Sequence, residues 1–109
     1  MVLDATVQSR NHGVELALEF EWDPRKAAAN LTKHAISFEE AATVFGDPFG
    51  LIVGDPRHSH GEERFALLGL SKDRHLLAVM YAERGKAIRI ISARRATRNE
   101  RRDYEEITR

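Results

Sequence analysis

The sequence contains no cysteine among its 109 residues. Without cysteine there is neither a disulfide framework nor a thiolate metal site, so a small secreted protein is not expected and the reducing cytoplasm fits better. Long apolar runs are also missing. The longest, residues 76–82, is far shorter than the roughly 20 residues that cross a bilayer, and no basic segment precedes an apolar one at the N-terminus. We therefore expect no contact with a membrane.

The chain also lacks a net charge, but this average hides an uneven distribution. Residues 1–56 carry four basic and nine acidic side chains, a formal charge of −5, whereas residues 57–109 carry thirteen and eight, a formal charge of +5. Residues 84–102 contain eight basic side chains and a single acid, Glu100. Such an excess attracts phosphate, although a helix with a solvated charged face gives the same pattern. Charge alone leaves both interpretations open.

Apolar and acidic residues alternate over residues 14–22, which predicts a half-buried strand. Asp23 followed by Pro24 predicts the start of a short helix, and the capping box Ser37–Glu40 predicts the start of a second. Another capping box, Thr97–Glu100, predicts a C-terminal helix. Apolar runs separated by turn residues predict four more strands, at 51–53, 65–70, 76–81 and 87–92.

The connections between these four strands are too short for parallel crossovers, so we expect an antiparallel meander. Residues 76–81 are apolar at both odd- and even-numbered positions, which predicts a strand in the centre of the sheet. We expect the two helices on one face of this strand and a cleft on the other. The predicted class is α+β: an N-terminal strand and two helices packed on a mainly antiparallel four- to five-stranded sheet, with a C-terminal helix. We interpret residues 1–14 as an N-terminal extension that need not be ordered, and 15–109 as a single domain.

The densest polar cluster is residues 55–64, which join two predicted strands and contain two His, two Glu and two Arg. His58 and His60 have the spacing of a metal-binding pair, but no third ligand is assigned and Gly61 indicates a turn, so we predict no metal and no other cofactor. The cluster could be an exposed hairpin whose ion pairs contribute under about 1 kcal/mol each. It could also take part in metal-independent RNA cleavage, in which the ribose 2′-OH attacks the adjacent phosphorus.

That reaction needs a base, an acid for the leaving oxygen, and cations beside the phosphate. Histidine transfers protons near neutral pH, and arginine binds phosphate in a bidentate manner. Arg64 begins one predicted strand, Arg84 closes the next, and Arg94 ends the last. A meander could bring the three guanidiniums to neighbouring strand ends, although a single arginine at a strand end is more often only solvated.

Two aromatic residues have both a structural and a functional interpretation. Trp22 could anchor the core under the helices, or it could be a platform on which single-stranded RNA stacks. Tyr81, close in sequence to Arg84, could belong to the core or could offer its hydroxyl to a phosphate. The complete set of RNA-binding candidates is Trp22, Lys33, Tyr81, Arg89 and Arg95.

A series of short motifs runs in order through about residues 19–106. They are Phe20-Glu-Trp-Asp-Pro24, Lys26, Asn30, Lys33-His34 and Ser37-Phe-Glu-Glu-Ala41; Val44-Phe45, Asp47-Pro48, His58-Ser59, Glu62-Glu-Arg64, Gly69 and Glu83-Arg84; and Arg89-Ile-Ile-Ser-Ala-Arg94, Glu100-Arg101 and Tyr104-Glu105. This series resembles the BrnT toxins of bacterial type II toxin–antitoxin systems, and a series is far more specific than any one motif.

The resemblance implies a ribonuclease with a RelE-like fold that inhibits translation by cutting RNA. It also implies a partner, the ribbon-helix-helix antitoxin BrnA, which silences the toxin; their complex binds the promoter DNA of its own operon. The motif positions that would serve catalysis are His58, Glu62, Arg64, Arg84 and Arg94.

Three positions depart from the family pattern. Ala35 stands where the family commonly has glycine, and Asp73-Arg-His75 replaces the usual Gly-Arg turn. Ala82 stands where threonine often precedes the Glu-Arg pair. Its missing hydroxyl removes a polar group beside Arg84 and could lower activity.

Three functions remain open at this point. The first is a metal-independent endoribonuclease toxin, with His58 in proton transfer, three arginines (Arg64, Arg84 and Arg94) on the phosphate, and Glu62 orienting an arginine or acting as the base. The second is a non-catalytic partner that binds nucleic acid or antitoxin and acts in transcriptional autoregulation. The third is an α+β interaction domain whose basic half is a solvated face.

Overall fold

A single mixed sheet organises the protein. The computed structural model describes residues 2–8, 15–54 and 63–108. Within these residues the strands are β1 (Val2–Gln8), β2 (Glu15–Glu21), β3 (Leu51–Gly54), β4 (Arg64–Leu70), β5 (Leu76–Arg84) and β6 (Ala87–Arg95), and the α-helices are α1 (Pro24–His34), α2 (Phe38–Thr43) and α3 (Arg98–Thr108). The strand order is β1-β2-β6-β5-β4-β3. Strands β2 and β6 run parallel, and the other described neighbours run antiparallel.

The predicted α+β class is confirmed, and the sheet has one strand more than predicted. The additional strand, β1, pairs with β2 from Val2 opposite Glu21 to Gln8 opposite Glu15. It lies within residues 1–14, which we interpret from the sequence as an N-terminal extension. Its sequence alternates apolar Leu3, Ala5 and Val7 with polar residues, which is the pattern of a strand.

Strand β5 is covered by helices on both faces. Its odd-numbered residues Leu77, Val79 and Tyr81 belong to the larger core, which includes Ile36 between α1 and α2 and Phe38 of α2. On the opposite face a smaller core joins four buried residues, Leu68, Leu76, Ala78 and Tyr104 of α3. The expectation of an uncovered second face was therefore wrong for the half of the face beneath α3. Beyond α3 this face ends at Arg84, whose side chain is half exposed.

The three predicted helix starts are confirmed. The Asp23 carboxylate accepts a hydrogen bond from the Arg25 amide, and the Ser37 hydroxyl accepts one from the Glu40 amide. At α3 the capping box is reciprocal, because Glu100 N–H donates to Thr97 Oγ1 and Thr97 N–H donates to Glu100 Oε1. These contacts satisfy backbone donors that have no partner within a helix.

Buried polar side chains connect the helices to the sheet. The Asn30 amide nitrogen donates to the carbonyls of Ile36 and Ala93, and its oxygen accepts from the Ala93 amide. The buried Glu40 carboxylate accepts from the Ser71 hydroxyl at 2.6 Å and lies 2.7 Å from His75 Nδ1. Asn30 thereby attaches α1 to β6, while Glu40 attaches α2 to the β4–β5 turn.

Asp47 makes a similar connection on the opposite face. Its carboxylate accepts hydrogen bonds from the amides of Phe49 and Leu70 and from the Tyr104 hydroxyl. The loop after α2 is therefore bonded to both β4 and α3. Among the described residues, no helix is long and apolar enough to cross a membrane.

Ala35 ends α1 in the left-handed conformation, with φ of 58° and its amide donating to the Leu31 carbonyl. A Cβ atom makes this conformation unfavourable, and glycine commonly occupies this position after a helix. The geometry therefore gives a physical reason for the glycine of the family pattern at this position.

Replacing Ala35 with glycine is expected to raise the free energy of unfolding by up to about 1 kcal/mol, because it removes the left-handed strain. The matched control is Ala28→Gly at an exposed position inside α1. It should lower stability by about 1 kcal/mol. Urea denaturation of both variants measures the difference. Equal destabilisation by the two substitutions would contradict this account of Ala35.

Candidate nucleic-acid interface

Three arginines share one face of the sheet near its end. In the strand register Arg64 of β4 lies opposite Ala82 of β5, and Ala82 lies opposite Arg89 of β6. Because paired residues of neighbouring strands project to the same face, Arg64 and Arg89 flank the buried Ala82. Arg84 lies two positions beyond Ala82 and therefore on the same face. We call Arg64, Arg84 and Arg89 the arginine patch.

An open cleft of about 820 Å³ adjoins the arginine patch at the end of β5. Within it the half-exposed side chain of Arg84 places Nε 3.7 Å from Glu21 Oε1. The cleft is lined by cationic and carboxylate side chains and by the first residue of α1. Its lining residues are Glu21, Trp22, Asp23, Pro24, Arg84, Gly85 and Arg89.

Arg94 lies on the same face but away from the arginine patch. It pairs in register with Ala78, whereas Arg84 pairs with Ala87 at the other end of the β5–β6 hairpin. Six residues along β5 correspond to about 20 Å at the strand rise of about 3.4 Å per residue. The expectation that Arg64, Arg84 and Arg94 meet at neighbouring strand ends was therefore wrong for Arg94, because antiparallel strands place their C-terminal ends at opposite edges.

Glu100 binds Arg94 at this second location. The Arg94 guanidinium donates from Nη1 to Glu100 Oε1 at 2.7 Å and from Nη2 to Oε2 at 3.0 Å. Glu100 also completes the cap of α3. The hydrogen bond from Arg94, together with those from Thr97, lowers the pKa of Glu100 from 4.5 to about 2. Arg94 therefore attaches α3 to the end of β6.

A β-bulge explains why Arg89 and Arg94 share a face despite their odd spacing. Met80 pairs with Ser92 and Tyr81 pairs with Ile90, which leaves Ile91 as an additional residue in β6. One inserted residue reverses the alternation of side chains beyond it. In a regular strand, Arg89 and Arg94 would lie on opposite faces.

The two aromatic RNA-binding candidates are core residues. Trp22 is 4% exposed and makes an edge contact with Phe38. Tyr81 is 3% exposed and packs between Phe45 and Phe65. Its burial, with a smaller effect of the Glu83 carboxylate, raises the pKa of the hydroxyl. Neither ring offers a face on which a base could stack, and Tyr81 projects to the face opposite Arg84.

Lys33 and Arg95 do not join the arginine patch either. Lys33 lies in the last turn of α1, the helix that Asn30 attaches to β6. Arg95 is exposed and pairs in register with Leu77, whose side chain belongs to the core beneath the helices. Both cations therefore lie on the side of the sheet that carries α1 and α2. Of the five RNA-binding candidates only Arg89 lies in the arginine patch.

His58 and Glu62 lie outside the described residues. Within the described part of the chain, no group of three or more His, Cys, Asp or Glu residues has the arrangement of a metal site. Glu21 is a cleft residue that the sequence analysis missed. The alternation of acidic and apolar residues in the sequence indicates that Glu21 lies in a strand. Its proximity to Arg84, however, depends on the parallel pairing of β2 with β6.

A mixed sheet between helices, with an arginine patch and an adjoining cleft at one end, defines a small α+β protein whose clustered arginines suit a polyanionic ligand. The family model described as "Ribonuclease toxin, BrnT, of type II toxin-antitoxin system" matches residues 22–100. The chain belongs to this family of ribonuclease toxins, which act on RNA and are paired with an antitoxin.

The comparison with solved structures agrees with this assignment at the level of the fold. The crystal structure of the ribonuclease toxin BrnT of Brucella abortus is similar with a TM-score of 0.56 and 21% sequence identity, over 72% of this chain and 96% of that one. No curated protein sequence matches the chain.

The ion pair of Arg94 and Glu100 makes stability depend on pH. Because the pKa of Glu100 is lowered to about 2 in the folded protein, its contribution is present above the unfolded value of 4.5 and is lost as pH falls towards 2. Glu100→Gln should lower the urea midpoint at pH 7 and weaken the decline between pH 5 and pH 2. An unchanged decline in the variant would contradict this role of Glu100.

Proposed function

We propose that this toxin cleaves RNA without a metal ion, by attack of a ribose 2′-OH on the adjacent phosphorus. The main support is the arginine patch: Arg64, Arg84 and Arg89 occupy one face of three adjacent strands at one end of the sheet. A phosphodiester bound there would meet guanidiniums from more than one side. The strands fix the backbone positions from which these donors extend before the negative charge develops.

In this proposal the arginine patch binds the scissile phosphate. Guanidiniums donate two parallel hydrogen bonds to phosphate oxygens and stay charged throughout the reaction. Arg64 and Arg89 are partly buried, so their attraction to phosphate is less screened than that of a fully solvated side chain. Arg84 extends into the cleft. We assign Arg94 to anchoring α3, because Glu100 binds its guanidinium far from Arg84.

His58 and Glu62 are proposed to move the protons. Both precede Arg64 closely in sequence, and Arg64 is the first residue of β4. One group, Glu62 or His58, takes the 2′-OH proton while the new P–O bond forms. His58 is then suited to protonating the departing 5′ oxygen as its bond to phosphorus breaks, because histidine exchanges protons near neutral pH. Glu62 could alternatively orient an arginine. The products are a 2′,3′-cyclic phosphate and a 5′-hydroxyl.

We further propose that the antitoxin is a BrnA-like ribbon-helix-helix protein that covers the arginine patch. An acidic or amphipathic segment of that partner would neutralise the guanidiniums and block the cleft together. The complex, rather than the toxin alone, would bind promoter DNA. We propose the cytoplasm as the location of both proteins, because the chain has no cysteine and its substrate is RNA.

RNA cleavage in EDTA tests the metal-independent mechanism. The parent protein should cleave RNA with excess EDTA, and Arg84→Ala should lower the rate by about 100-fold or more, as removal of a transition-state donor does. Arg95→Ala is the matched control, because it removes an equal charge from an exposed position on the other side of the sheet. Cleavage that depends on added Mg²⁺, or an equal loss in both variants, would contradict the proposal.

Substituting the sugar at the cut site tests the nucleophile. An oligonucleotide with a single 2′-deoxyribose at that position should bind as tightly as the parent RNA but resist cleavage, because the attacking hydroxyl is missing. Gel electrophoresis and mass spectrometry would detect the cyclic phosphate from the unmodified RNA. Cleavage of the deoxy-substituted strand at the same bond would exclude attack by the 2′-OH.

A further inference from the structure

The ion pair between Arg84 and Glu21 spans an intervening strand. Arg84 lies on β5 and Glu21 on β2, with β6 between these two strands. Nevertheless Arg84 Nε lies 3.7 Å from Glu21 Oε1. The Arg84 side chain must therefore extend sideways across β6 rather than away from the end of its own strand.

The residues of β6 allow this conformation. Ala87 is the register partner of Arg84 and also of Glu19 in β2, and its methyl group leaves space above the sheet. Arg89 is the register partner of Glu21. Glu21 is thus next to Arg89 in the strand register, and its carboxylate lies 3.7 Å from Arg84 Nε of the next strand but one. It is more buried than the half-exposed Arg84.

We propose that Glu21 is a positioning residue for RNA cleavage, which holds the Arg84 guanidinium over the cleft beside Arg89. This inference rests on the proposed function, because it assigns Arg84 to the phosphate. An exposed arginine samples many rotamers, and a charged partner on a rigid strand restricts them. Glu21 itself does not contact the reacting atoms in this proposal. It acts through Arg84.

The same carboxylate should oppose substrate binding. It reduces the positive charge that attracts the RNA backbone, so its removal should tighten binding, most visibly at low salt. At the same time Arg84 would lose its orientation and stabilise the transition state less well. Loss of the orientation of Arg84 therefore predicts a lower kcat, while loss of the charge predicts a lower KM. A role limited to folding predicts a lower melting temperature and no fall in the kcat of the folded protein.

Glu21→Gln and Glu19→Gln form the matched pair that tests this role. Both residues lie on the same face of β2 and carry the same charge, but only Glu21 pairs with Arg84. We expect Glu21→Gln to lower kcat by about three- to tenfold, the loss that follows from weakening an exposed ion pair and misplacing a donor, and to lower KM by about two- to threefold. Glu19→Gln should leave kcat unchanged.

A double variant separates this inference from the proposed function. If Glu21 acts through Arg84, adding Glu21→Gln to Arg84→Ala should not lower kcat further. If Glu21→Gln lowers kcat by the same factor in the Arg84→Ala background as in the parent protein, the positioning role is wrong. Equal kcat values for Glu21→Gln and Glu19→Gln would also overturn it. If Arg84→Ala itself cleaves at the parental rate, it is the proposed function that fails.

A second measurement does not depend on catalysis. The heteronuclear NOE of the Arg84 Nε–H group in the RNA-free protein reports the order of this side chain on the picosecond-to-nanosecond timescale. It should fall in Glu21→Gln and stay at the parental value in Glu19→Gln. An unchanged value in Glu21→Gln would contradict the inference even if the activity of that variant were reduced.

Discussion

The antiparallel pairing of β5 with β6 is the constraint on which the proposed site depends. It sets Ala82 against Arg89, and the pairing of β5 with β4 adds Arg64 on the other side. A slip of one residue would move these side chains to the opposite face, which packs against α1 and α2. The bulge at Ile91, in the middle of β6, places Arg94 on the face that carries α3. One register therefore determines both the arginine patch and the attachment of the last helix.

Several residues that carry the family resemblance hold this arrangement together and have no place in the cleft. The buried side chains of Asn30 and Glu40 form hydrogen bonds that connect the helices to the sheet. Asp47 accepts a hydrogen bond from the Tyr104 hydroxyl and so connects α3. A buried polar group without partners destabilises a fold, so such residues tolerate little substitution. The positions that identify the family thus form two groups, a framework and a charged surface.

Much of the fold could be predicted from local patterns, because alternation and helix caps act between residues close in sequence. Strand β2 and the caps at Asp23, Ser37 and Thr97 are examples. The candidate site was harder to predict. Tyr81 and Arg84 are three residues apart and project to opposite faces, and the location of Arg94 follows from strand direction and a bulge. Neither the register of distant strands nor a single inserted residue leaves a local signal.

RNA is proposed to bind the face of the sheet that carries the arginine patch. The Nε–H resonances of the arginines report this binding directly when the protein is titrated with an RNA carrying one 2′-deoxyribose at the cut site. We expect the largest changes at Arg64, Arg84 and Arg89, and little change at Arg95 on the opposite side. Dominant changes at Arg95, with the patch unaffected, would contradict it.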